Sequence, residues 1–403
     1  MIDLLVAASL GFFLLALAGL FAVFVLYPLF IGLLPRPRTA LSPPGFPEGA
    51  SGQESGESRL PALSMLVAVR NGGGLISSKI ENALSLDYPA DLFELVVFSD
   101  GSNDDTLKRV ESCGDSRVKC FSTAIHHGKA AALNEGMTHC RGEIVVFSDA
   151  DALLEKDALR NLVRHYQDPR IGGVCGQRVI GDRSAGLKSA QSRYIKFDSL
   201  IKGLESRVGS VTSNDGKLYS IRRSLFRPID AASTDDLFVS LTVISQGFRF
   251  IFDPDARAQI RLPSRNHLHE IQRRRRIVSR SLRGIFLNRA LLNPFKHGVF
   301  SLGLAVNKVV RRLLPICLIL LFACSIILSF HSRIALLFLV LQACFYGLAL
   351  SYPLLSRIEL GKKFRQAAAL PVYFCIGNYG TLLGLLDFLM QKSVSKWEPI
   401  KAG

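Results

Sequence analysis

Four stretches dominate what this chain can fold into: Leu4 to Leu34, Leu313 to Phe330, Ile334 to Leu354 and Leu370 to Met390 are almost entirely apolar. Inside a bilayer the backbone has no water to bond, so stretches of this length are committed to helix. The first has no basic leader and is too long for a cleaved signal peptide, so it is expected to stay as a membrane helix. The first basic residues, Arg36 and Arg38, follow it. By the positive-inside rule the N-terminus lies outside and the polar middle of the chain is cytoplasmic. The second and third stretches form a hairpin joined by His331-Ser332-Arg333, and Arg357, Lys362, Lys363 and Arg365 mark a cytoplasmic loop after it. The fourth is interrupted by Asn378, Gly380 and Asp387. Strict alternation puts the C-terminus outside, whereas Lys392, Lys396 and Lys401 favour the inside; a re-entrant or interfacial last segment reconciles the two.

Charge narrows the partners. The formal net charge is +16 and the pI about 9.7, a balance suited to nucleic acid, an anionic membrane surface or phosphorylated substrates. A mean hydropathy of +0.27 and 26 Phe argue against a soluble nucleic-acid binder. The basic residues also cluster beside the apolar stretches rather than on an aromatic-interleaved surface, so no nucleic acid is expected. The eight Cys show no metal-ligand spacing or close pairs, which fits free thiols in a reducing compartment.

Arg36 to Arg59, rich in Pro, Gly and Ser, reads as a flexible linker. From Leu63 to about Asp255, short apolar runs alternate with helical segments, as in an α/β parallel sheet. Strands are expected at Ser64–Val69, Leu92–Phe98, Val118–Ser122 and Ile144–Phe147, with a last one at Gly247–Phe252. Helices are expected at Leu75–Leu86, at Thr106–Ser112, from Gly128 onward, and from Thr234 to Gln246 with Thr234 as N-cap. Phe300 to Arg312 interleaves apolar and basic positions, as an interfacial helix would.

Ile144–Phe147 is an unbroken apolar run, as in a strand buried on both faces, and it leads into Asp149-Ala150-Asp151. Ligands of open α/β sheets bind beyond the carboxyl ends of strands. Two carboxylates one residue apart there can both turn to one hard divalent cation, Mg2+ or Mn2+, shared with substrate phosphates. Asp100 follows a second buried strand, and Asp235-Asp236 heads a helix returning to the same edge. Three carboxylate stations beside a basic Gln-x-x-Arg segment, Gln272 to Arg275, suit a diphosphate, a metal and a proton transfer. Lys129, at a helix start, is either a phosphate contact or a solvated cap, and Asp215 either an acceptor contact or a turn residue. Asp104 and Asp105 read as helix caps, and His126 and His127 as surface residues.

Asp100-Gly101-Ser102, Asp149-Ala150-Asp151, Thr234-Asp235-Asp236 and Gln272-Arg273-Arg274-Arg275 together resemble the ordered motifs of the family 2 inverting glycosyltransferases. Leu84 to Pro89, Gly128-Lys129, Tyr219 to Arg223 and Trp397-Glu398-Pro399 match the membrane synthases of cellulose, hyaluronan and poly-N-acetylglucosamine more closely. The resemblance implies a mixed, mostly parallel GT-A (Rossmann-like) α/β domain over residues 61–260. Around it are a membrane helix over 1–35, a linker over 36–60, interfacial basic helices with Gln-x-x-Arg over 261–312, transmembrane segments over 313–392 and a tail over 393–403.

Carried over by motif, Asp100 would contact the nucleoside of a UDP-sugar. Asp149 would lie at the nucleotide and, with Asp151, hold the metal. Asp236 would be the general base for the acceptor hydroxyl, with Asp235 in support. Gln272, Arg275 and Arg276 would line the diphosphate and acceptor channel, joined by Lys129 and Asp215. The acceptor would be a glycan or a lipid-linked sugar, and the setting a bacterial inner membrane with the catalytic domain cytoplasmic. Two departures stand out: Asn71-Gly72-Gly73 ends the first strand where the family often has an acid, and Arg276 stands where processive members place Trp. A single-transfer glycolipid enzyme, and a catalytically weak nucleotide-binding or regulatory protein, are the alternatives. Four apolar segments are few for a polymer conduit, so a homo-oligomer or a separate export partner is a further expectation.

Overall fold

The middle strands of the sheet are buried at nearly every position, and a strand of that kind is stable only with helices on both faces. The computed structural model, which describes residues 2–35, 60–180, 187–260, 267–355 and 362–392, shows this arrangement. Preceding the sheet are α1 (Ile2–Phe21), a π-helical turn (Ala22–Leu26) and α2 (Tyr27–Leu33). The domain then runs β1 (Leu63–Val69), α3 (Gly73–Leu84), β2 (Phe93–Asp100), α4 (Thr106–Glu111), β3 (Val118–Thr123), α5 (Lys129–His139) and β4 (Ile144–Ser148). It continues with β5 (Ala152–Leu154), α6 (Ala158–Val163), β6 (Ile171–Ile180), α7 (Leu187–Val208), β7 (Leu218–Arg222), α8 (Asp235–Ser245) and β8 (Arg249–Ile260). After it come α9 (His267–Leu287), α10 (Pro294–His297), α11 (Val299–Gly303), α12 (Arg311–Leu328), α13 (Arg333–Leu355) and α14 (Lys362–Leu389).

The eight strands order as β3-β2-β1-β4-β7-β6-β8-β5. β1 pairs parallel with both β2 and β4, β7 runs antiparallel between β4 and β6, and β5 lies antiparallel on β8. Every residue of β1 and β4 is buried. Alternate residues serve the two faces: Met65, Val67 and Val69 join Ile76, Ile80 and Leu159 on one, while Leu66 and Ala68 join Ala132, Leu133 and Leu241 on the other. The chain steps outward from β1 through β2 to β3, then crosses back to β4. That reversal makes a crevice at the carboxyl ends of β1 and β4.

Among the described residues, four helical spans are long and apolar enough to cross a membrane: Asp3–Leu33, Val299–Leu328, Arg333–Tyr352 and Leu370–Leu389. Phe300 to Arg312, expected to lie at the interface, is continuous with α12 through a π-helical turn (Leu304–Val310). Two of its polar residues have protein partners: Asn307 donates to Thr212 Oγ1 at 3.0 Å, and Arg311 to Asn307 Oδ1 at 3.0 Å. Tyr27 of α2 reaches the same buried network, donating to Glu205 Oε1 at 2.6 Å. Arg207 bonds the end carbonyls of α2, Gly32 O at 2.6 Å and Ile31 O at 3.0 Å. The N-terminal helix is thereby fastened to α7 without recourse to the linker. The linker itself (36–59), Arg357, the lysines at 396 and 401 and Trp397-Glu398-Pro399 lie outside the described residues.

α14 runs lengthwise along α9, with Leu385 and Phe388 packed on Val278 and Leu282. Gly380 and Gly384 make this close approach possible: a Cβ on Gly384 would lie 2.5 Å from Arg275 O and 2.8 Å from Val278 Cβ. Gly384→Leu is therefore expected to destabilise the protein by about 1–3 kcal/mol, read as a lower Tm in detergent. An unchanged Tm would show that α14 is not held against α9.

Candidate active site

Beyond β4 and the start of α8, five charged side chains form a continuous line. Lys217 Nζ lies 2.7 Å from Asp151 Oδ1 and 2.9 Å from Asp149 Oδ2. Lys129 Nζ lies 2.7 Å from Asp149 Oδ1 and 2.7 Å from Asp235 Oδ2. The line thus reads Asp151, Lys217, Asp149, Lys129, Asp235. Burial opposes ionisation of Asp149, but the two ammonium groups win and hold it below the usual carboxylate range. Burial likewise opposes the charge of Lys129 and Lys217, and the carboxylates raise both above an ordinary lysine.

Asp236 differs from this line. It is half-buried beside Asp235, and loss of solvation together with that carboxylate pushes its carboxyl up to about 6, with Lys129 pulling the other way. Its Oδ1 accepts from Leu237 N at 2.7 Å, and Asn214 donates to its backbone carbonyl at 3.1 Å. Thr234 is the N-cap residue of α8, as expected, with Asp235 and Asp236 in the first turn, but its side chain makes no capping bond: its Oγ1 is buried without a partner among the described residues. The turn is instead tied down by Arg280 of α9, which donates to Ser233 O at 2.8 Å and to Ala231 O at 2.9 Å.

The loops feeding the crevice are stitched to one another. Asn71 accepts from Asn103 N at 2.9 Å through its side chain, and Gly73 N donates to Asp104 Oδ2 at 3.0 Å. Asp104 also accepts from Thr106 N, a capping contact as expected, while Asp105 pairs with Arg109 at 2.6 Å. Asp100 is 2% exposed and fully engaged by the chain: His126 Nδ1 lies 2.7 Å away, and the amides of His127 and Gly128 donate at 2.8 Å. Its carboxylate holds the turn before α5 and so aims Lys129. His126 is accordingly part of the interior rather than surface, whereas His127 is exposed. Gly101, at φ +61°, is needed because a Cβ there would meet His126 N at 2.7 Å.

The Gln-x-x-Arg segment divides between two duties. Arg275 turns away from the crevice and pairs with Asp387 of α14, with Nη2 to Oδ1 at 2.7 Å. Arg274 packs over the ring of Tyr373, and Glu270 binds both Arg273 and Arg274. Gln272 is exposed. Arg276 is half-buried on the face that looks toward Asp235, where burial and the nearby Arg280 and Arg273 press on its charge and Asp235 supports it. Asp215 pairs with Arg178 at 3.3 Å and is an electrostatic neighbour of Asp236.

The structure therefore brings Asp149, Asp151, Asp235, Asp236, Lys129, Asp215 and Arg276 to one crevice, while Asp100 is engaged by the loop at His126–Gly128 and Arg275 by Asp387. Lys217, Lys79 and Arg280 are site residues that sequence reasoning missed. Lys79 lies with no exposure on the apolar side of α3 and donates to Ser148 Oγ and Ala152 O, both at 2.7 Å. Burial lowers it to about 7 against the pull of Asp149 and Asp151. A lysine at the helical spacing of Ile76, Ile80 and Ala83 was the available signal.

Among the described residues no group of three His, Cys, Asp or Glu side chains is arranged to hold a metal ion. Two carboxylates do converge on one cation, because the Lys217 ammonium lies within 2.9 Å of oxygens from both Asp149 and Asp151. Such a pair fits a hard divalent ion that takes its remaining ligands from a diphosphate and water.

Residues 64–230 match the family model "Glycosyl transferase family 2". The poly-beta-1,6-N-acetyl-D-glucosamine synthase of Staphylococcus epidermidis is 26% identical over 217 residues, 52% of this chain and 52% of that protein. The synthase of Staphylococcus aureus strain MSSA476 is 26% identical over 211 residues, 51% of each chain. The chain thus spans about half the length of the curated relatives it matches. Among solved structures, mannosyltransferase PcManGT from Pyrobaculum calidifontis, in complex with GDP-Man and Mn2+, superposes with a TM-score of 0.65 at 22% identity. That match covers 94% of this chain and 99% of the other, and it establishes a shared fold.

Proposed function

On the premise that residues 64–230 form a glycosyl transferase family 2 domain, we propose that this protein is a membrane-integral inverting glycosyltransferase. It moves a sugar from a UDP-sugar to a growing polysaccharide or other glycan acceptor, with its catalytic domain on the cytoplasmic side. The observation that carries this reading is the half-buried carboxyl of Asp236 at the head of α8, beside the line Asp151, Lys217, Asp149, Lys129, Asp235; its pKa is raised to about 6.

Each residue has a task that its surroundings suit. Asp236 accepts the proton of the acceptor hydroxyl as that oxygen attacks the anomeric carbon, and its raised basicity favours the transfer. Asp235, fixed by Lys129, keeps Asp236 basic through like charge. Asp149 and Asp151 hold Mg2+ or Mn2+ against the donor diphosphate; the ion, when bound, offsets the charge that builds on the departing UDP. Lys129, Lys217 and Arg276 add positive charge around the same leaving group. Gln272 and Asp215 lie toward the acceptor side. A single transfer to a lipid-linked acceptor is the second reading. It is favoured by Arg276, a cation where a glycan being extended would want an aromatic platform.

The test is nucleotide release by the detergent-purified protein, offered a panel of UDP-sugars with Mg2+ or Mn2+, with product size read alongside. GDP-mannose, which the archaeal neighbour holds, belongs in the panel. Polymer supports the first reading, and one-sugar products that require added lipid support the second. Release with no donor, while UDP still binds, would leave only a nucleotide-binding protein. The pH profile is a further expectation. Asp236 must be ionised to act, so kcat is expected to fall about tenfold per unit below about 6 and to level off above it. Because its folded pKa is raised, the same group contributes stability in acid that is lost as pH rises from the ordinary carboxylate range through about 6.

A further inference from the structure

All four carboxylate oxygens of Asp149 and Asp151 already face an ammonium. Lys217 Nζ is 2.9 Å from Asp149 Oδ2 and 2.7 and 2.9 Å from the two oxygens of Asp151. Lys129 takes the remaining oxygen, Asp149 Oδ1, at 2.7 Å. The backbone of Lys217 is pinned: its carbonyl accepts from Ser148 Oγ at 3.0 Å, and that hydroxyl is itself held by Lys79 at 2.7 Å. Its N–H donates to Asp215 Oδ1 at 3.4 Å. Only the four-carbon side chain is free to move, by rotation about its own bonds.

A divalent ion bound by these two acids would occupy the place that this ammonium now fills. Oxygen ligands of such an ion sit at about 2.0–2.6 Å, closer than an ammonium hydrogen bond, so the two cations exclude each other. Without another anion, displacing Lys217 strands a side chain that is only 21% exposed beside a new positive charge. A diphosphate arriving with the metal removes that obstacle, because the displaced ammonium finds phosphate oxygens within its reach.

We propose that Lys217 is the resident counter-ion of the Asp149–Asp151 pair, yielding to a divalent metal only when a nucleoside diphosphate arrives to receive its ammonium. Metal and donor then bind in concert, each raising the affinity for the other by the same factor. The inference rests on the glycosyl-transfer reading of this crevice and adds to it a residue that makes metal uptake conditional on the donor.

The experiment is Mn2+ titration of the full-length protein in detergent, followed by the loss of the free-ion EPR signal, with and without saturating UDP. Wild type is compared with Lys217→Met and Lys217→Arg, and UDP binding by calorimetry reports an intact site in each. Wild type is expected to bind Mn2+ about tenfold or more tightly with UDP than without. Lys217→Met is expected to gain Mn2+ affinity in the absence of UDP and lose most of that difference, while Lys217→Arg, which keeps the charge, retains it. Equal UDP-free Mn2+ affinity in wild type and Lys217→Met would overturn the proposal. So would UDP binding that takes up no Mn2+, which makes Lys217 a permanent substitute for the metal and leaves the transfer reading standing. Failure of the wild type to bind UDP under any condition would overturn both.

Discussion

Asp236→Asn is expected to lower kcat by about 10²–10⁴-fold, the usual worth of a positioned general base, while UDP affinity stays within about twofold. Asparagine keeps the oxygen that accepts from Leu237 N at 2.7 Å, so the first turn of α8 is not disturbed. It also removes a half-buried acid that sits against Asp235. The Tm is therefore expected to stay level or to rise as activity falls. A fall in Tm with activity intact would place Asp236 in the scaffold instead.

The second large effect is expected from Lys129→Met. Its ammonium bridges Asp149 and Asp235 at 2.7 Å each, and these side chains are 24% and 20% exposed. Removing one partner of a buried ion pair typically costs about 3–5 kcal/mol. The loss here is expected toward the low end of that range, because Asp149 keeps Lys217. Lys129 also restrains the pKa of Asp236. The variant should consequently need a higher pH to reach its plateau rate, whereas Asp236→Asn should have no such limb. Thermal unfolding and a kcat–pH profile measured on the same preparation read both effects. An unshifted profile would remove Lys129 from the electrostatics of the base.

Much of this arrangement was legible in the residues. β1, β2 and β4 announce themselves as unbroken apolar runs, and Asp149 and Asp151 follow from the end of one of them. Asp235 and Asp236 fall at a helix start whose apolar positions are easy to follow. What local pattern does not carry is which charge meets which. Lys217 is 66 residues from Asp151, and Arg275 is 112 residues from Asp387. Both pairings depend on the order in which the sheet is assembled and on how α14 folds back along α9. Asp100 shows the reverse failure. An acid at a strand end reads as a ligand contact, yet three donors from the loop at His126–Gly128 claim it. Lys79 was hidden because a charge among apolar helix positions looks like noise until Ser148 and Ala152 are found at its tip. The continuity of Phe300–Arg312 with α12 was hidden for a related reason: Asn307 within it is matched by Glu205 and Thr212, which come from a distant part of the chain.

The central claim is a single displacement in which Asp236 activates the acceptor, and the anomeric configuration of the first product tests it most directly. Proton NMR of the sugar transferred by the wild-type protein from its preferred α-linked UDP-sugar would give the answer. The account predicts a β-linked product, formed by wild type and absent with Asp236→Asn. An α-linked product would contradict it, since retention requires a different route through the site and leaves Asp236 without the role assigned to it.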